Sequence, residues 1–276
     1  MSTIATSVPR VASPKNELVL PAFTLWWREV VRFYRQRARV VGVIASPVVF
    51  WLVIGSGFGT SFRSGDAANA SGQHYLDYFY PGALIMIVLF TSIFTMMSVI
   101  EDRKEGFLLS VMVAPVSRSA IVLGKVLGGT TLATIQGLIF LVFAPLVGVH
   151  MSLASFLLVA LTVFLVSFAL TALGFLIAWP MDSTQAFHAI INLFLIPLWL
   201  LSGALFPLSG ASGWLRVIMR LNPLTYGVEA LRDLLYPASQ GEFSLAASLS
   251  TLMLFSFFMF GLAFLIVNRR TTKPAA

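Results

Sequence analysis

The chain has 276 residues, a formal net charge of +7, 58% hydrophobic residues and only 11% charged residues. Soluble proteins carry roughly 25% charged residues, so this composition excludes an ordinary soluble domain and favours a membrane protein with several spans. Basic residues between long apolar runs are typical of such proteins, which argues against nucleic acid as a partner. The sequence has no Cys, which excludes disulfides and a Cys nucleophile.

Residues 18–38 have the pattern of an amphipathic helix. Apolar and charged residues follow Pro21 on opposite sides of a helical repeat. The apolar side holds Phe23, Trp26, Trp27, Val30, Val31 and Tyr34, and the charged side holds Arg28, Glu29, Arg32 and Arg35. We predict a helix in the membrane interface with its Trp pair at headgroup level and in contact with membrane lipids; packing on another protein domain is the alternative.

Six stretches lack Asp, Glu, Lys and Arg and are long enough to cross a hydrocarbon layer of about 30 Å as helices. They cover residues 40–59, 81–100, 126–149, 153–180, 186–206 and 243–267. We therefore predict an all-α membrane protein with one transmembrane domain over residues 1–276, in which residues 40–267 form a bundle of six spans.

The distribution of Lys and Arg predicts the orientation of these spans. Of the 18 Lys and Arg, fourteen lie before span 1, in the connection between spans 2 and 3, or after span 6. That connection holds Arg103, Lys104, Arg118 and Lys125. Cytoplasmic segments of membrane proteins are enriched in these residues, so both termini are expected in the cytoplasm. We expect an integral protein of a bacterial inner membrane.

The connection 101–119 begins with charged residues and becomes strongly apolar before Pro115. Its apolar residues are Phe107, Leu108, Leu109, Val111, Met112 and Val113. A short helix with this much apolar surface outside the bilayer needs a groove in which to bind. Folding back onto the membrane surface is the alternative.

The external connection 208–242 contains two amphipathic patterns. The first places Trp214 and Ile218 on one face, and Asn222-Pro223 then has the form of an N-cap followed by Pro in the first helical turn. The second pattern separates its Leu and Val residues from Glu229, Arg232 and Asp233. We predict a helical hairpin that partly re-enters the outer leaflet before the last span.

The spans carry few groups that could support chemistry. Ion-coupled carriers need ionisable side chains at membrane depth, and the stretches themselves offer chiefly His188, Gln136 and Asn192 as strongly polar residues. Carriers with sites built from backbone groups remain an alternative. An intramembrane hydrolase using Ser202 and His188 is disfavoured, because 14 residues of helix separate them by about 21 Å. The three His are scattered, so no metal site is expected, and no phosphate-binding GxxxxGK[ST] loop is present.

Three motifs in order resemble the permease subunits of ABC exporters of the type-2 class. The first is Glu101 to Lys125, with a charged run, the pair Glu105-Gly106 and then Pro115, Ser117 and Arg118. The second runs from Pro197 through Ser202-Gly203 to Leu208, and the third is Asn222-Pro223-Leu224-Thr225-Tyr226 followed by Glu229, Leu231 and Arg232. Phe107 and Leu108 depart from the family pattern, which commonly has Thr and a further polar residue at these positions.

This resemblance implies a chain that binds no cofactor itself and assembles as two copies with two copies of a separate ATP-binding cassette ATPase, on which ATP and Mg bind. The segment 101–119 would be the coupling segment that docks on the ATPase. Its expected contact residues are Glu101, Glu105, Gly106, Leu109, Met112, Pro115 and Arg118.

The resemblance also implies that spans 2 and 5 of both copies line the translocation path. The candidate wall residues are Phe90, Phe94, Met97, Asn192, Ile196 and Trp199. These side chains are mostly apolar, which favours an amphipathic or lipid-like cargo, such as a drug, lipid, glycolipid or polysaccharide, over a small ion; plain helix packing is the alternative for each aromatic residue. Candidate gate and external-motif residues are Pro197, Ser202, Gly203, Asn222, Pro223, Tyr226 and Arg232. An ATP-independent channel or carrier is the alternative function.

Overall fold

The computed structural model describes residues 18–57, 75–114, 116–237 and 241–268. The α-helices in these ranges are α1 (Val19–Arg35), α2 (Arg37–Gly57), α3 (Tyr75–Thr95), α4 (Met97–Lys104), α5 (Phe107–Val113), α6 (Arg118–Phe140), α7 (Leu153–Ala178), α8 (Thr184–Trp199), α9 (Gly213–Leu221), α10 (Pro223–Leu235) and α11 (Leu245–Asn268).

Six helical segments of the described chain are long and apolar enough to cross a membrane. They are Val40–Gly57, Tyr75–Lys104, Arg118–Val147, Leu153–Ala178, Thr184–Ala204 and Leu245–Asn268, which we number spans 1 to 6. The predicted all-α class with six spans is therefore confirmed.

Span 2, formed by α3 and α4, is the central helix of the bundle. The buried share of its 18-residue apolar window is 83%, whereas the corresponding share is 33% in span 5 and 22% in span 6. Helix α3 packs against α2, α6, α7 and α10. Because lipid-facing and partner-facing helices retain exposed apolar sides, these fractions identify span 2 as the axis around which the other spans pack.

Spans 2 and 3 extend further than their charge-free stretches. Span 2 continues to Lys104 and span 3 begins at Arg118, so the segment between them is shorter than the predicted connection. The prediction that Lys125 belongs to this connection is wrong, because Lys125 lies inside α6 with 1% of its surface exposed. The helices tolerate charged residues here because these residues find partners within the chain.

Helix α1 packs along α6 through small residues. An added Cβ at Gly124 would lie 2.5 Å from Leu25 Cβ, and one at Gly128 would lie 2.8 Å from Glu29 Cβ. Glycines spaced four apart allow two helix backbones to approach closely in this way. The buried face of α1 includes Glu29, so the predicted charged side does not simply face water.

The opposite side of α1 carries large apolar residues that no other part of the described chain covers. Phe23 and Trp27 are more than half exposed, and Tyr34 is also exposed. The two adjacent Trp residues differ, because Trp26 is partly buried and its Nε1–H donates a hydrogen bond to Thr131 Oγ1 at 3.0 Å. Helix α1 is thus attached to the bundle on one side and exposed on the other.

The close approach of α1 and α6 gives a stability prediction. Gly124→Ala should lower the free energy of unfolding by about 1–3 kcal/mol, because the new methyl group overlaps α1. Gly42→Ala is the matched control, since nothing lies within 4 Å of an added Cβ there; helix propensity should make it neutral or stabilising by up to about 1 kcal/mol. Thermal unfolding in detergent, followed by Trp fluorescence, measures both. Equal effects of the two substitutions would contradict the packing of α1 on α6.

Candidate functional site

Helix α5 lies between spans 2 and 3 and has two different faces. Leu108 is 2% exposed and packs with Leu25 of α1 and Ile121 of α6. Leu109 and Val113 are 62% and 79% exposed. One side of α5 therefore packs against α1 and α6, and the other presents apolar surface outside the candidate spans.

The other predicted coupling residues lie around this helix. Glu101 forms an ion pair of 2.7 Å with Arg32, whereas the exposed Glu105 lies 3.9 Å from the same guanidinium. Met112 and Arg118 are exposed, and Gly106 precedes α5 with a left-handed φ of +76°. Pro115 lies outside the described residues.

A cluster of charged and polar side chains joins α1, α4 and α6 beside α5. It comprises Arg28, Glu29, Arg32, Ser98, Asp102 and Lys125, and we call it the charge cluster. Lys125 Nζ lies 2.6 Å from Glu29 Oε1 and 3.1 Å from Ser98 Oγ, and it also pairs closely with Asp102. Glu29, Asp102 and Lys125 are each less than 5% exposed. Such buried charges persist only when they are paired and hydrogen-bonded.

Two arginines of α1 complete the pairing of Asp102. Arg28 donates from Nη1 and Nη2 to the two carboxylate oxygens at 2.8 and 2.7 Å, and Arg32 Nη1 donates to Oδ1 at 2.8 Å. Hydrogen bonding to Asp102 raises the pKa of Arg28 above its ordinary value, while burial opposes this rise. Bidentate pairing of this kind fixes both distance and orientation.

The sequence predicted Arg28, Glu29 and Arg32 only as the charged side of an amphipathic helix, not as members of a buried cluster. Glu29 and Asp102 are 73 positions apart in the chain, so no local pattern shows that both contact Lys125. One signal was available: Lys125 stands among Gly124, Gly128 and Gly129 at the start of an apolar helix, where an ionisable residue calls for a named partner.

Arg103 connects the same end of span 2 to the segment between spans 4 and 5. Its Nη1 donates to Met181 O at 2.9 Å and to Asp182 Oδ1 at 3.1 Å, and its Nη2 donates to Trp179 O. These contacts place the connection 179–183 against α4 at the same end of the bundle as the charge cluster.

The candidate path residues of span 2 form one strip on an otherwise buried helix. Phe90, Phe94 and Met97 are partly exposed, whereas the residues between them are buried. The rings of Phe90 and Phe94 stack with centroids 5.7 Å apart, and His188 of span 5 lies 5.3 Å from Phe94. The strip is thus aromatic, with one imidazole at its side.

Span 5 contributes candidates in two different environments. Asn192 is exposed and Ile196 is 38% exposed, so both lie on an outer face of this chain. Trp199 is 4% exposed, and its Nε1–H donates to Gly82 O of span 2 at 2.9 Å. The structure brings Trp199 into the protein interior rather than onto the face shared by Asn192 and Ile196.

The helix of span 5 is broken at residues Leu200–Ala204, which we call the span 5 break. Leu201 and Gly203 have non-helical dihedral angles, and Gly203 has φ +80°, a conformation that favours Gly. Pro197 lies inside α8 and lacks the N–H that would continue the hydrogen-bond ladder. The helix is disrupted a few residues after Pro197, at Gly203, because glycine adopts the left-handed conformation without a steric clash.

Side chains replace the backbone hydrogen bonds that the span 5 break removes. Gly203 O accepts from Tyr78 Oη at 3.0 Å and from Arg232 Nη2 at 2.9 Å, and Leu198 O accepts from Asn222 Nδ2 at 2.6 Å. Ser202 Oγ donates to Trp199 O at 2.6 Å. Non-helical backbone at membrane depth is tolerated only when its polar groups are satisfied within the protein.

Helix α10 and its N-cap residue provide two of these donors. Asn222 also caps α10 by accepting from Leu224 N at 3.0 Å, with Pro223 in the first turn. Arg232 forms a buried pair with Glu229, and its guanidinium lies 4.4 Å from the centre of the Tyr78 ring. The sequence pattern separated Glu229 and Arg232 from the apolar face of α10, but both side chains are buried in the structure.

The remaining motif residues belong to the same region. Tyr226 Oη donates to Arg220 O of α9 at 2.9 Å, so it connects α10 to the preceding helix. The gate and external-motif residues predicted from sequence thus come together around the span 5 break. Ser202 lies at this break. His188 lies in the first turns of α8, where it contacts Phe94 of span 2, so the structure does not bring Ser202 and His188 together.

The buried Arg232 gives a second stability prediction. Arg232→Met should lower the free energy of unfolding by about 3–5 kcal/mol, because it leaves Glu229 buried without its cation. Arg220→Met is the matched control: Arg220 is more than half exposed and lies 3.5 Å from Glu242, so its loss should change stability by about 1 kcal/mol or less. Thermal unfolding of both purified variants measures the difference, and similar effects would contradict the role given to Arg232.

The neighbouring Asp233 gives a prediction about pH. Burial raises the pKa of Asp233 above its ordinary value, and the carboxylate of Glu229 adds to the rise. The folded chain then holds this proton more tightly than the unfolded chain, so stability falls as the pH rises through the raised pKa. Asp233→Asn should therefore raise the melting temperature at about pH 7.5, with a smaller gain towards about pH 4. Melting curves at both values test this, and a gain independent of pH would contradict it.

Comparisons with known proteins agree with one family. Residues 22–236 match the family described as "ABC-2 type transporter". The chain is 31% identical over 237 residues to "Putative transport permease ycf38" of Cyanophora paradoxa, covering 85% of this chain and 79% of that protein. It is 24% identical over 225 residues to "Daunorubicin resistance ABC transporter permease protein DrrB1" of Streptomyces coeruleorubidus, covering 79% and 76%.

A third relative is aligned over most of both chains. "Nodulation protein J" of Sinorhizobium fredii is 24% identical over 260 residues, which cover 91% of this chain and 96% of that protein. The family match contains spans 1 to 5 and helices α5, α9 and α10. With its six candidate spans, this chain therefore belongs to the ABC-2 type transporter family as a membrane-spanning permease component.

Proposed function

We propose that two copies of this chain form the membrane path of an ATP-driven exporter, powered by a separate ATPase that binds helix α5. The observation that carries this proposal is the exposed apolar face of α5, formed by Leu109, Met112 and Val113. This face lies between Lys104 and Arg118, where spans 2 and 3 end and begin. Apolar surface presented outside the spans on an anchored helix suits docking in a protein groove.

The surroundings of this face support a protein rather than a lipid partner. The exposed Lys104, Glu105 and Arg118 flank it with charges of both signs. A protein groove with an apolar floor and a polar rim complements such a surface, because rim charges add specificity while the apolar centre supplies affinity. The ATPase would bind ATP and Mg, and two ATPase subunits would serve two permease copies.

The proposed path runs between the two copies. Phe90, Phe94 and Met97 of span 2 are partly exposed in the single chain, as are Asn192 and Ile196 of span 5. Facing copies would enclose these strips and create a passage with aromatic and aliphatic walls. Such walls favour an amphipathic or lipid-like cargo, because a small ion gains little there to replace its hydration.

The span 5 break is the proposed external gate. The Gly203 carbonyl in this break accepts from Arg232 of α10 and Tyr78 of span 2. The Leu198 carbonyl just before the break accepts from Asn222, the N-cap of α10. A change in the position of α10 would therefore alter the end of span 5 directly. We place α9 and α10 on the external side and both termini in the cytoplasm of a bacterial inner membrane, on the distribution of Lys and Arg.

The exposed face of α5 gives the test of this function. The double variant Leu109→Asp, Met112→Asp should lose association with an ATP-binding cassette ATPase co-expressed from the same genome, by at least about tenfold, because carboxylates do not enter an apolar groove without partners. Co-purification from detergent extracts and stimulation of ATPase activity in nanodiscs measure this association.

Two controls accompany the double variant. Leu109→Met keeps the apolar surface and should retain association. Arg35→Gln changes the charge by the same sign at an exposed position of α1, outside the proposed docking surface, and should retain association as well. Unchanged ATPase association in the double variant would overturn docking through α5. Cargo movement by the purified chain in liposomes without ATP would instead favour a channel or carrier.

A further inference from the structure

The two residues of α5 that depart from the family pattern face this chain rather than its outer surface. Leu108 is 2% exposed between Leu25 and Ile121, and Phe107 is partly buried in the same cluster. Leu109 and Met112, by contrast, are exposed. Phe107 and Leu108 therefore determine how α5 is attached to its own permease.

Arg28 of α1 is the polar half of this attachment. Its guanidinium carbon lies 3.8 Å from the centre of the Phe107 ring, which is close enough for a cation–π contact. The same guanidinium donates to both carboxylate oxygens of Asp102 at 2.8 and 2.7 Å. Arg28 thus bridges a ring of α5 and a carboxylate of span 2, and only a planar fork satisfies both at once.

Asp102 continues this connection into two spans. It is fully buried and also pairs with Lys125 of span 3. Lys125 in turn reaches Glu29 at 2.6 Å and Ser98 at 3.1 Å. A continuous series of charge-assisted contacts therefore runs from the ring of Phe107 to the ends of spans 2 and 3.

The backbone between span 2 and α5 does not by itself fix the angle of α5. The junction is Gly106, with φ +76° and nothing within 4 Å of an added Cβ. A single left-handed Gly in open space permits rotation of the helix that follows it. The side-chain contacts of α5 therefore contribute to its orientation, together with its short connection to span 3.

We propose that Arg28 is a positioning residue for energy coupling, which holds α5 through Phe107 and Asp102 so that α1, α5 and the adjoining ends of spans 2 and 3 move as one body. This inference rests on the proposed function, because it assumes that an ATPase pushes on α5. Force on Leu109 and Met112 would then reach span 2 through Arg28 instead of being lost in rotation about Gly106.

The first experiment uses the purified chain alone, so it does not depend on an ATPase. The sequence has no Cys, so Val113→Cys and Leu127→Cys can carry two spin labels, on α5 and on span 3, in chains diluted with unlabelled protein. Arg28→Lys keeps the charge but loses the fork, and Phe107→Leu keeps an apolar side chain but loses the ring. Each should raise the detached population of α5 by about tenfold and broaden the measured distance distribution.

Matched controls make the same chemical changes elsewhere on α1. Arg35→Lys and Phe23→Leu alter exposed residues outside the charge cluster and should leave the distribution unchanged. The double variant of Arg28 and Phe107 should broaden it no more than Arg28→Lys alone, because Arg28→Lys already breaks the contact with the ring. A distribution in Arg28→Lys and Phe107→Leu as narrow as in the unmodified chain would overturn the proposal.

The second experiment measures transmission in the complex with the ATPase in nanodiscs. A label at Asn192→Cys should report a change in span 5 when ATP and vanadate are added. Arg28→Lys should retain ATPase binding and hydrolysis within about twofold, yet reduce this change by roughly threefold or more.

The outcomes separate the two proposals. If the unmodified chain binds no ATPase, the proposed function fails, while the distances within the purified chain still test the attachment of α5. If Arg28→Lys preserves the full change at position 192, or abolishes ATPase binding itself, then Arg28 is not a positioning residue for coupling.

Discussion

Charged groups and broken backbone inside this bundle depend on partners within the protein, because apolar surroundings supply none. Two departures from an apolar interior are prominent in the described part of the chain, and side chains distant in sequence stabilise each of them. Lys125 lies in span 3 and is paired with Glu29 and Asp102, while the carbonyl of Gly203 is bound by Tyr78 and Arg232. These pairings determine which helices must stay together at each end.

Span 2 takes part in both departures. Near one end, Ser98 and Asp102 join it to α1 and span 3. Near the other, Gly82 O accepts from Trp199, and an added Cβ at Gly82 would lie 2.5 Å from Ala204 Cβ. Span 2 is thus anchored near both ends and buried between them, so the proposed docking site at α5 and the proposed gate at the span 5 break adjoin the same span.

The sequence predicted the features that depend on local composition. Six charge-free stretches gave six candidate spans, and Asn222-Pro223 gave the start of α10. Lys125 was misplaced because a charged residue was taken to mark the end of a span. That rule fails here because tertiary contacts neutralise the charge of Lys125. The enclosure of Glu229 and Arg232 was missed for the same reason, since helical periodicity separates polar from apolar faces without showing what each face contacts.

The separation of charge from the proposed path bears on how cargo would move. The three cations of the charge cluster pair with Glu29, Asp102 and the adjoining Glu101, and Arg232 pairs with Glu229. By contrast, Phe90, Phe94 and Met97 form an apolar strip with His188 beside it. A wall of this kind offers a travelling cargo similar contacts along its length, so a gradient of charge along the strip cannot supply direction. Under the proposed function, direction comes from a change in the relative positions of the spans, and α5, which contacts Arg28 and packs through Leu108 with its apolar face exposed, is the proposed point at which an ATPase drives that change.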